Sequence, residues 1–316
     1  MINLFIKRIL FFLLPIFLLI YPIDYLFSSL LAKQNSLSIS AGEYSVWNDI
    51  YKGEINAEIA VYGSSRAWVQ FNTPMLSDLL NTDSYNFGLD GHNFQLQYLR
   101  HLEYLKHNKS PKTIILSVDF TTLQKRKDLY NYSQLLPYML WNSSVYNYTK
   151  DYEGYSKTDY KIPLVRYMGE FNTLLKAILP NEDKKTRIQG YAGRNEGWNN
   201  DFLIAKKEIK RQHYKIDYYT VNLFNQFLDD CKTSGIKVIM VYAPVYHEGF
   251  NFIENHQDIV NSFQIIANKH KLPFLDYTKN SICHNESLFN NSTHLNSMGA
   301  DRFTKQLCDD IINLKL

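Results

Sequence analysis

The chain has 316 residues, 45% of them hydrophobic, and a formal net charge of +3 at pH 7. This composition is that of a globular protein and excludes a mainly disordered chain. The 34 basic residues barely exceed the 31 acidic ones, so the charge gives no electrostatic argument for a nucleic-acid partner.

The N-terminal part of the chain is a long apolar segment. It carries no charge from Ile9 to Ile23, is interrupted by Asp24, and continues to Leu31. The 23 residues from Ile9 to Leu31 are enough to cross a hydrocarbon core of ~30 Å at ~1.5 Å per residue. This segment therefore predicts a transmembrane helix.

Two basic residues, Lys7 and Arg8, lie on the N-terminal side of the apolar segment. Basic residues beside a membrane helix favour the cytoplasmic side. A cleaved signal peptide is the alternative, but no small-x-small cleavage site follows the apolar run. We therefore expect residues 1–33 to be an uncleaved anchor that crosses the cell membrane once, with residues 34–316 outside the cytoplasm.

After the anchor, short apolar runs alternate with segments of helical periodicity. This alternation predicts a flavodoxin-like, three-layer α/β/α fold with a five-stranded parallel sheet. The predicted strands lie within Ala57–Ser65, Ser84–Leu89, Lys112–Phe120, Gly235–Pro244 and Leu272–Thr278, and the clearest predicted helices within Asn72–Leu80, Asn93–His107, Thr220–Gly235 and the stretch that begins near Phe303.

A long segment, at about 121–234, separates the third and fourth predicted strands. It is rich in Tyr and Asn and contains helix-like pieces such as Val165–Leu179. We interpret it as a helical insertion in one extracytoplasmic α/β domain. The sequence leaves open whether the insertion folds as a domain of its own.

Three cysteines, Cys231, Cys283 and Cys308, are an odd number without CxxC spacing. They give no support for a zinc site or a disulfide framework. Cys231 and Cys308 fall on apolar faces of predicted helices, so we expect them to be buried free thiols.

Three features that can carry chemistry fall at the carboxyl ends of the predicted strands, where ligands bind in open α/β sheets. Ser65 lies in the turn after the first strand, Gly91 in the loop after the second, and His294 before the last helix. A serine becomes a nucleophile when a base such as histidine removes its proton, and a glycine lets a main-chain N–H approach an oxyanion. The alternatives are a plain turn, or a phosphate site formed by the amides around Ser64 and Ser65.

The segments GSSR, NFGLDG and STHLNSMGADRF resemble sequence blocks of the SGNH/GDSL hydrolase superfamily. The resemblance is closer to its membrane-anchored members linked to extracytoplasmic polysaccharide O-acylation. It covers roughly residues 56–120 and 235–316 and leaves the insertion unmatched.

The resemblance implies a role for each matched position. Ser65 becomes the nucleophile and His294 its general base, and the amides of Ser65 and Gly91 become the oxyanion donors. Asn291 stands where the family has the aspartate that orients the histidine. Asp119 stands where the family has an oxyanion asparagine.

The last two positions depart from the family pattern. The amide of Asn291 supplies no negative charge to the imidazole and can favour the wrong tautomer. An ionised Asp119 would repel an oxyanion. Three carboxylates, Asp90, Asp276 and Glu286, are candidates to replace Asn291.

Three further residues near these motifs are candidates for substrate binding: Arg66, His92 and Asp119. For Arg66, the alternatives are binding an anionic substrate group and pairing with an acid at the sheet edge. Trp68 is expected to be a packing residue.

Together these features predict a serine esterase or O-acyltransferase that acts on acyl groups, most simply acetyl, of cell-surface polysaccharide. It would need no metal or cofactor. Its partners would be a polysaccharide or acylated glycan, the membrane, and proteins of a surface-polysaccharide pathway, with no nucleic acid. The alternative is a catalytically impaired SGNH-like protein that binds glycans or serves in assembly.

Overall fold

The computed structural model describes residues 2–33, 42–91, 94–178, 187–199, 201–208 and 210–314. The chain forms two compact units. The segment predicted as an insertion is divided between them. Unit 1 comprises Met1–Asn48 and Lys127–Lys185, and unit 2 comprises Asp49–Arg126 and Thr186–Leu316.

A five-stranded, fully parallel sheet is the centre of unit 2, as predicted. The order across it, β2-β1-β3-β4-β5, is the flavodoxin-like order of a doubly wound sheet. An antiparallel pair, β6 and β7, follows later in the chain. The strands are β1 (Ile59–Tyr62), β2 (Ser84–Asn86), β3 (Thr113–Val118), β4 (Lys237–Tyr242), β5 (Phe274–Asp276), β6 (Phe289–Asn291) and β7 (His294–Leu295).

Eleven α-helices occur in the described residues, together with five short 3₁₀ segments. The 3₁₀ segments are Tyr132–Tyr138, Val165–Tyr167, His247–Phe252, Ser281–His284 and Glu286–Leu288. The α-helices are α1 (Ile2–Leu31), α2 (Glu43–Lys52), α3 (Ser65–Gln70), α4 (Thr73–Leu80), α5 (Phe94–His107), α6 (Ser143–Thr149), α7 (Phe171–Ile178), α8 (Asp201–Glu208), α9 (Tyr218–Thr233), α10 (His256–His270) and α11 (Ser297–Asn313).

Helices cover both faces of the sheet, because alternate residues of each buried strand point to opposite sides. Val61 of β1 belongs to a core cluster that includes Phe71 beside α3 and Phe303 of α11. The next residue, Tyr62, faces the other way, and its ring contacts His101 of α5 and Phe227 of α9. The hydrophobic runs of the strands are thus buried on both sides.

Local signals in the sequence fix where two of these helices begin and end. Asn72 caps α4, and its side chain accepts a hydrogen bond from Met75 N at 3.2 Å. Gly235 follows α9 with a φ of +69°, a left-handed conformation that favours glycine after a helix. The three cysteines are buried free thiols, as expected for Cys231 and Cys308.

In unit 1, α1 packs against the 3₁₀ segment Tyr132–Tyr138 and against α7. Its part from Leu13 to Leu31 has a mean hydropathy of 1.7 and is long and apolar enough to cross a membrane. Asp24 of α1 is buried and forms a bidentate ion pair with Arg166, with N–O distances of 2.7 and 2.8 Å. The charge that interrupts the apolar sequence is therefore neutralised inside unit 1.

Candidate active site

The turn from β1 to α3 holds Ser65 at the carboxyl edge of the sheet. Gly63 enters this turn with a φ of +147°, and a Cβ added there would lie 2.7 Å from the carbonyl oxygen of Ser117. Ser64 caps α3, and its Oγ accepts a hydrogen bond from Arg66 N at 3.2 Å. Because these contacts fix the turn, the half-exposed Ser65 has a defined position.

The structure brings Ser65 and His294 together. The distance from Ser65 Oγ to His294 Nε2 is 2.8 Å, although the two residues are 229 positions apart in the chain. His294 is placed by the hairpin of β6 and β7 and by α11, which follows it and packs against α3. A serine hydroxyl and an imidazole at this distance have the geometry of a nucleophile and its base.

Asn291 lies behind the imidazole, and its orientation is determined by main-chain donors. Its Oδ1 accepts hydrogen bonds from the N–H groups of Thr293 and His294, both at 3.0 Å. The atom facing them must therefore be the amide oxygen, because the amide nitrogen cannot accept a hydrogen bond. The same Oδ1 is 3.1 Å from His294 Nδ1. An acceptor there requires a proton on Nδ1 and leaves Nε2 free to accept from Ser65.

This arrangement corrects one expectation, that the amide favours the wrong tautomer. The amide oxygen selects the tautomer that a nucleophilic serine needs. Thr293 adds a second partner, since its Oγ1 is 3.1 Å from His294 Nδ1. The carboxylates considered as replacements, Asp90, Asp276 and Glu286, form no hydrogen bond with His294 in the described part of the chain.

The surroundings of His294 disfavour its protonated form. Burial, followed by the positive charges of Arg66 and Arg194, lowers the pKa of His294 from 6.5 to about 4, and Asp119 acts weakly in the opposite direction. The imidazole is consequently neutral at neutral pH. A neutral imidazole can accept a proton, but the side-chain partners of His294 among the described residues, Ser65, Asn291 and Thr293, include no carboxylate to stabilise the cation that results.

Asp119 is engaged in local hydrogen bonds. Its Oδ2 accepts a hydrogen bond of 2.6 Å from the hydroxyl of Ser64, the residue before the candidate nucleophile. Its Oδ1 accepts from the main-chain N–H of Thr121 at 2.9 Å and from that residue's hydroxyl at 2.7 Å. The side chain is 2% exposed. Asp119 thus holds the β3 exit loop to the turn that carries Ser65.

Arg66 points into the protein. It is 3% exposed, and its Nη2 donates to the carbonyl oxygen of Ala243 at 2.5 Å. Its Nε donates to Gln70 Oε1 at 3.3 Å. The ion pairs found among the described residues do not include Arg66, and its part in substrate binding stays a prediction.

The loop after β2 approaches α3 closely. A Cβ added at Gly88 would lie 2.7 Å from Trp68 N and 2.9 Å from the carbonyl oxygen of Ser64. Gly91 has a φ of +62° in the turn that ends this loop. Its part in an oxyanion site stays a prediction, and His92 lies outside the described residues.

Sequence reasoning missed three residues of this region. Thr293 is adjacent to His294 and could have been noticed from its hydroxyl alone. Gly88 could have been noticed as the second glycine of the loop. Arg194 lies 129 positions after Ser65 and 100 positions before His294, and no local pattern connects it to either motif.

No family model matches the chain, and no curated protein matches it. Among solved structures, it is similar to a GDSL-like lipase from Bacteroides thetaiotaomicron, with 12% identity and a TM-score of 0.40 over 89% of this chain and 99% of that one. An acetyl xylan esterase, AlAXEase, is similar with 12% identity and a TM-score of 0.40 over 80% of this chain and 99% of that one. At such TM-scores, activity has to be argued from the site itself.

The observed architecture is the one that the SGNH/GDSL resemblance implies. The sheet is parallel with five strands, a serine follows β1, and a histidine precedes α11. The contact between Ser65 and His294 is observed in this chain itself and does not depend on the similarity to solved structures.

Proposed function

We propose that the chain is a membrane-anchored serine esterase or O-acyltransferase that acts outside the cytoplasm on acetyl groups of cell-surface polysaccharide. The observation that carries the proposal is the 2.8 Å contact between Ser65 Oγ and His294 Nε2. The tautomer selected by Asn291 supports it, because Nε2 is then available to take the serine proton.

In the first half of the reaction, Ser65 Oγ attacks the acyl carbonyl carbon while its proton passes to His294 Nε2. The carbonyl π electrons move to the oxygen, which becomes an oxyanion held by the amides of Ser65 and Gly91. When the oxyanion collapses, the bond to the sugar oxygen breaks. His294 returns the proton to that oxygen, leaving an acyl-serine.

In the second half, a water molecule or a sugar hydroxyl is deprotonated by His294 and attacks the acyl-serine. Collapse of the second oxyanion releases Ser65, which regains its proton from His294. Water gives the free acid, and a sugar hydroxyl gives a new ester. The proposed cycle uses only residues of this chain and involves no metal or cofactor.

The membrane location and the polysaccharide substrate have separate support. Helix α1 is long and apolar enough to cross a bilayer, and Lys7 and Arg8 favour a cytoplasmic N-terminus. The sequence motifs resemble membrane-anchored proteins of polysaccharide O-acylation. Both observations favour an α/β domain on the outer side of the membrane, where surface glycans are found.

A second candidate function is a glycan-binding or assembly protein on the same fold, with partners in a surface-polysaccharide pathway. Asn291 favours it, because a neutral amide leaves the imidazolium without charge stabilisation. In triad proteases, the equivalent loss of charge costs about 10⁴ in turnover. The two candidates differ in whether the hydroxyl of Ser65 becomes acylated.

The test is turnover of a small acetyl ester by the full-length chain in detergent, compared with the Ser65→Ala variant. Removing a catalytic serine costs about 10⁶ in a complete triad, and an amide in place of the acid already accounts for about 10⁴ of that. We therefore expect Ser65→Ala to lower turnover about 10²-fold. A fluorophosphonate should label Ser65 in the unaltered protein.

Ser262→Ala is the matched control, because Ser262 is a half-exposed serine of α10 whose hydroxyl donates to the carbonyl oxygen of Asp258 in its own helix. It should keep full activity. If Ser65→Ala retains full activity, Ser65 is not the nucleophile and the proposed mechanism is wrong. If the unaltered chain has no turnover and Ser65 resists the fluorophosphonate, the binding or assembly function replaces the enzyme.

A further inference from the structure

Arg194 is held near the segment of His294 through its main chain. Its carbonyl oxygen accepts hydrogen bonds from the N–H of Ser297 at 2.6 Å and from the Ser297 hydroxyl at 3.0 Å. Ser297 is the first residue of α11, three positions after His294. A Cβ added at Gly193 would lie 2.6 Å from Ser297 Oγ.

The side chain of Arg194 extends to the helix that carries Ser65. Its guanidinium carbon lies 5.2 Å from the centroid of the Trp68 ring. Trp68 is on α3, one turn after Ser65, and is itself 3% exposed. The guanidinium carbon of Arg187 lies 4.4 Å from the same centroid. A cation–π contact with the indole favours this direction of the Arg194 side chain. The main chain of Arg194 therefore contacts Ser297, near His294, while its side chain contacts Trp68, near Ser65.

The charge of Arg194 is free to meet a ligand. The residue is exposed, and no acidic side chain among the described residues forms an ion pair with it. Its positive charge is close enough to His294 to contribute to the lowered pKa of that imidazole. Arg66 and Arg187 differ from it, because both are buried and donate to main-chain carbonyl oxygens.

An unpaired guanidinium that is held at the rim of a nucleophile–base pair is suited to a planar or tetrahedral anion, which it can bind through two parallel hydrogen bonds. We propose that Arg194 determines substrate specificity by binding an anionic group, a carboxylate or a phosphate, on the sugar that carries the ester. This inference rests on the proposed function and adds to it the charge of the substrate. Sugars without such a group are poorer ligands.

The experiment measures binding in the Ser65→Ala background, where no turnover consumes the ligand. Three acetylated methyl glycosides are titrated into the full-length protein in detergent and followed by calorimetry: a glucoside, the matching glucuronoside, and the matching glucoside 6-phosphate. We expect the anionic ligands to bind at least about 10-fold more tightly than the neutral one, as is typical of charge-assisted hydrogen bonds. The stronger of the two anionic ligands identifies the group.

Arg194→Gln should remove that preference, and 0.5 M salt should weaken it. Arg211→Gln is the control, because Arg211 is an exposed arginine away from both motifs and should leave the preference intact. Equal affinity for all three ligands, or a preference that survives Arg194→Gln, overturns the inference. Failure of the proposed function is distinguishable, because the protein with Ser65 would then bind the anionic ester without hydrolysing it or transferring its acetyl group.

Discussion

In the proposed mechanism, the neutral amide beside His294 Nδ1 gives the imidazole less stabilisation than a carboxylate would when the ring takes a proton from Ser65. A carboxylate in that position would orient the ring and also stabilise its positive charge. Asn291 orients the ring through Oδ1 but supplies no negative charge to stabilise its protonated form. The chain therefore combines the correct geometry with a weak base, whose pKa is lowered to about 4.

Asn291→Asp should restore the missing charge. A carboxylate can accept the same two main-chain hydrogen bonds that Oδ1 now accepts. We expect turnover of an acetyl ester to rise by up to about 10⁴-fold, the factor lost when a triad aspartate becomes asparagine. The acid limb of kcat/KM, which in the unaltered protein lies near the His294 pKa of about 4, should move to higher pH.

Asn291→Ala is the control for that prediction. It removes the amide without adding charge, so it should lower turnover and disturb the turn that Oδ1 stabilises. If Asn291→Asp changes neither turnover nor the acid limb, charge at this position is irrelevant to the site.

At this scale, sequence motifs predicted the pairing of Ser65 with His294, because both residues lie in short blocks at strand and helix ends. The same blocks could not predict the tautomer, which depends on the N–H directions of Thr293 and His294 in a folded turn. They also could not reveal that Arg66 points away from solvent, because its acceptors lie beyond β4.

Among the elements, α1 is the predicted long apolar helix, with one feature that the sequence did not indicate. The apolar span was counted from Ile9 to Leu31, but Asp24 and Leu31 are buried in unit 1. Tyr25 and Leu26, which follow Asp24, are 66% and 53% exposed. The buried carboxylate therefore interrupts the exposed apolar surface of α1 without ending it.

Asp24→Asn should destabilise unit 1. The substitution leaves the Arg166 guanidinium, which is 1% exposed, without its carboxylate. Breaking a buried ion pair from one side costs about 3–5 kcal/mol in the free energy of unfolding. Denaturant unfolding of the full chain in detergent measures the change.

Asp151→Asn, an exposed site in the same unit, should leave the unfolding free energy unchanged. The double variant Asp24→Asn with Arg166→Met should be more stable than Asp24→Asn alone, since it removes the unpaired charge. Equal stability of Asp24→Asn and the unaltered chain contradicts a structural role for the pair.

Element types were predictable where periodicity was strong, as in α5, α9 and the five strands of the sheet. The 121–234 segment was not, since its elements are short and their partners are distant in sequence. Val165–Leu179 has the pattern of one helix, yet Gly169, with a φ of +91°, separates a 3₁₀ turn from α7. The amino-acid composition of the segment did not indicate that it is divided between two units.

For the whole molecule, buried neutral histidines couple stability to pH. Burial lowers the pKa of His101, which is 1% exposed, from 6.5 to about 4. Burial also lowers the pKa values of His256 and His294 to about 4. Between about pH 4 and pH 6.5, these histidines bind protons in the unfolded chain but not in the folded chain. The free energy of unfolding therefore decreases as the pH falls from about 6.5 towards 4.

The expected loss for a fully buried histidine such as His101 is at most about 3 kcal/mol, from ~1.4 kcal/mol per pKa unit. Unfolding free energies of the full chain at several pH values between 7 and 4 measure the slope. His101→Gln should reduce that slope, whereas His213→Gln, at an exposed site, should not. Greater stability at pH 4.5 than at pH 7 contradicts this account.

The overall α/β architecture was the most predictable level, because alternating buried strands and helices admit few arrangements. The order of the strands required the structure, since β1 lies between β2 and β3.

The 229 positions between Ser65 and His294 have a consequence for biosynthesis. In the proposed mechanism, a nascent chain that contains β1 and α3 has the nucleophile but no proton acceptor until the segment of His294 and α11 has been synthesised and has packed against α3. The proposed esterase is therefore inactive during translation. A premature stop codon before residue 294 would yield a product with the proposed nucleophile and without its proposed general base.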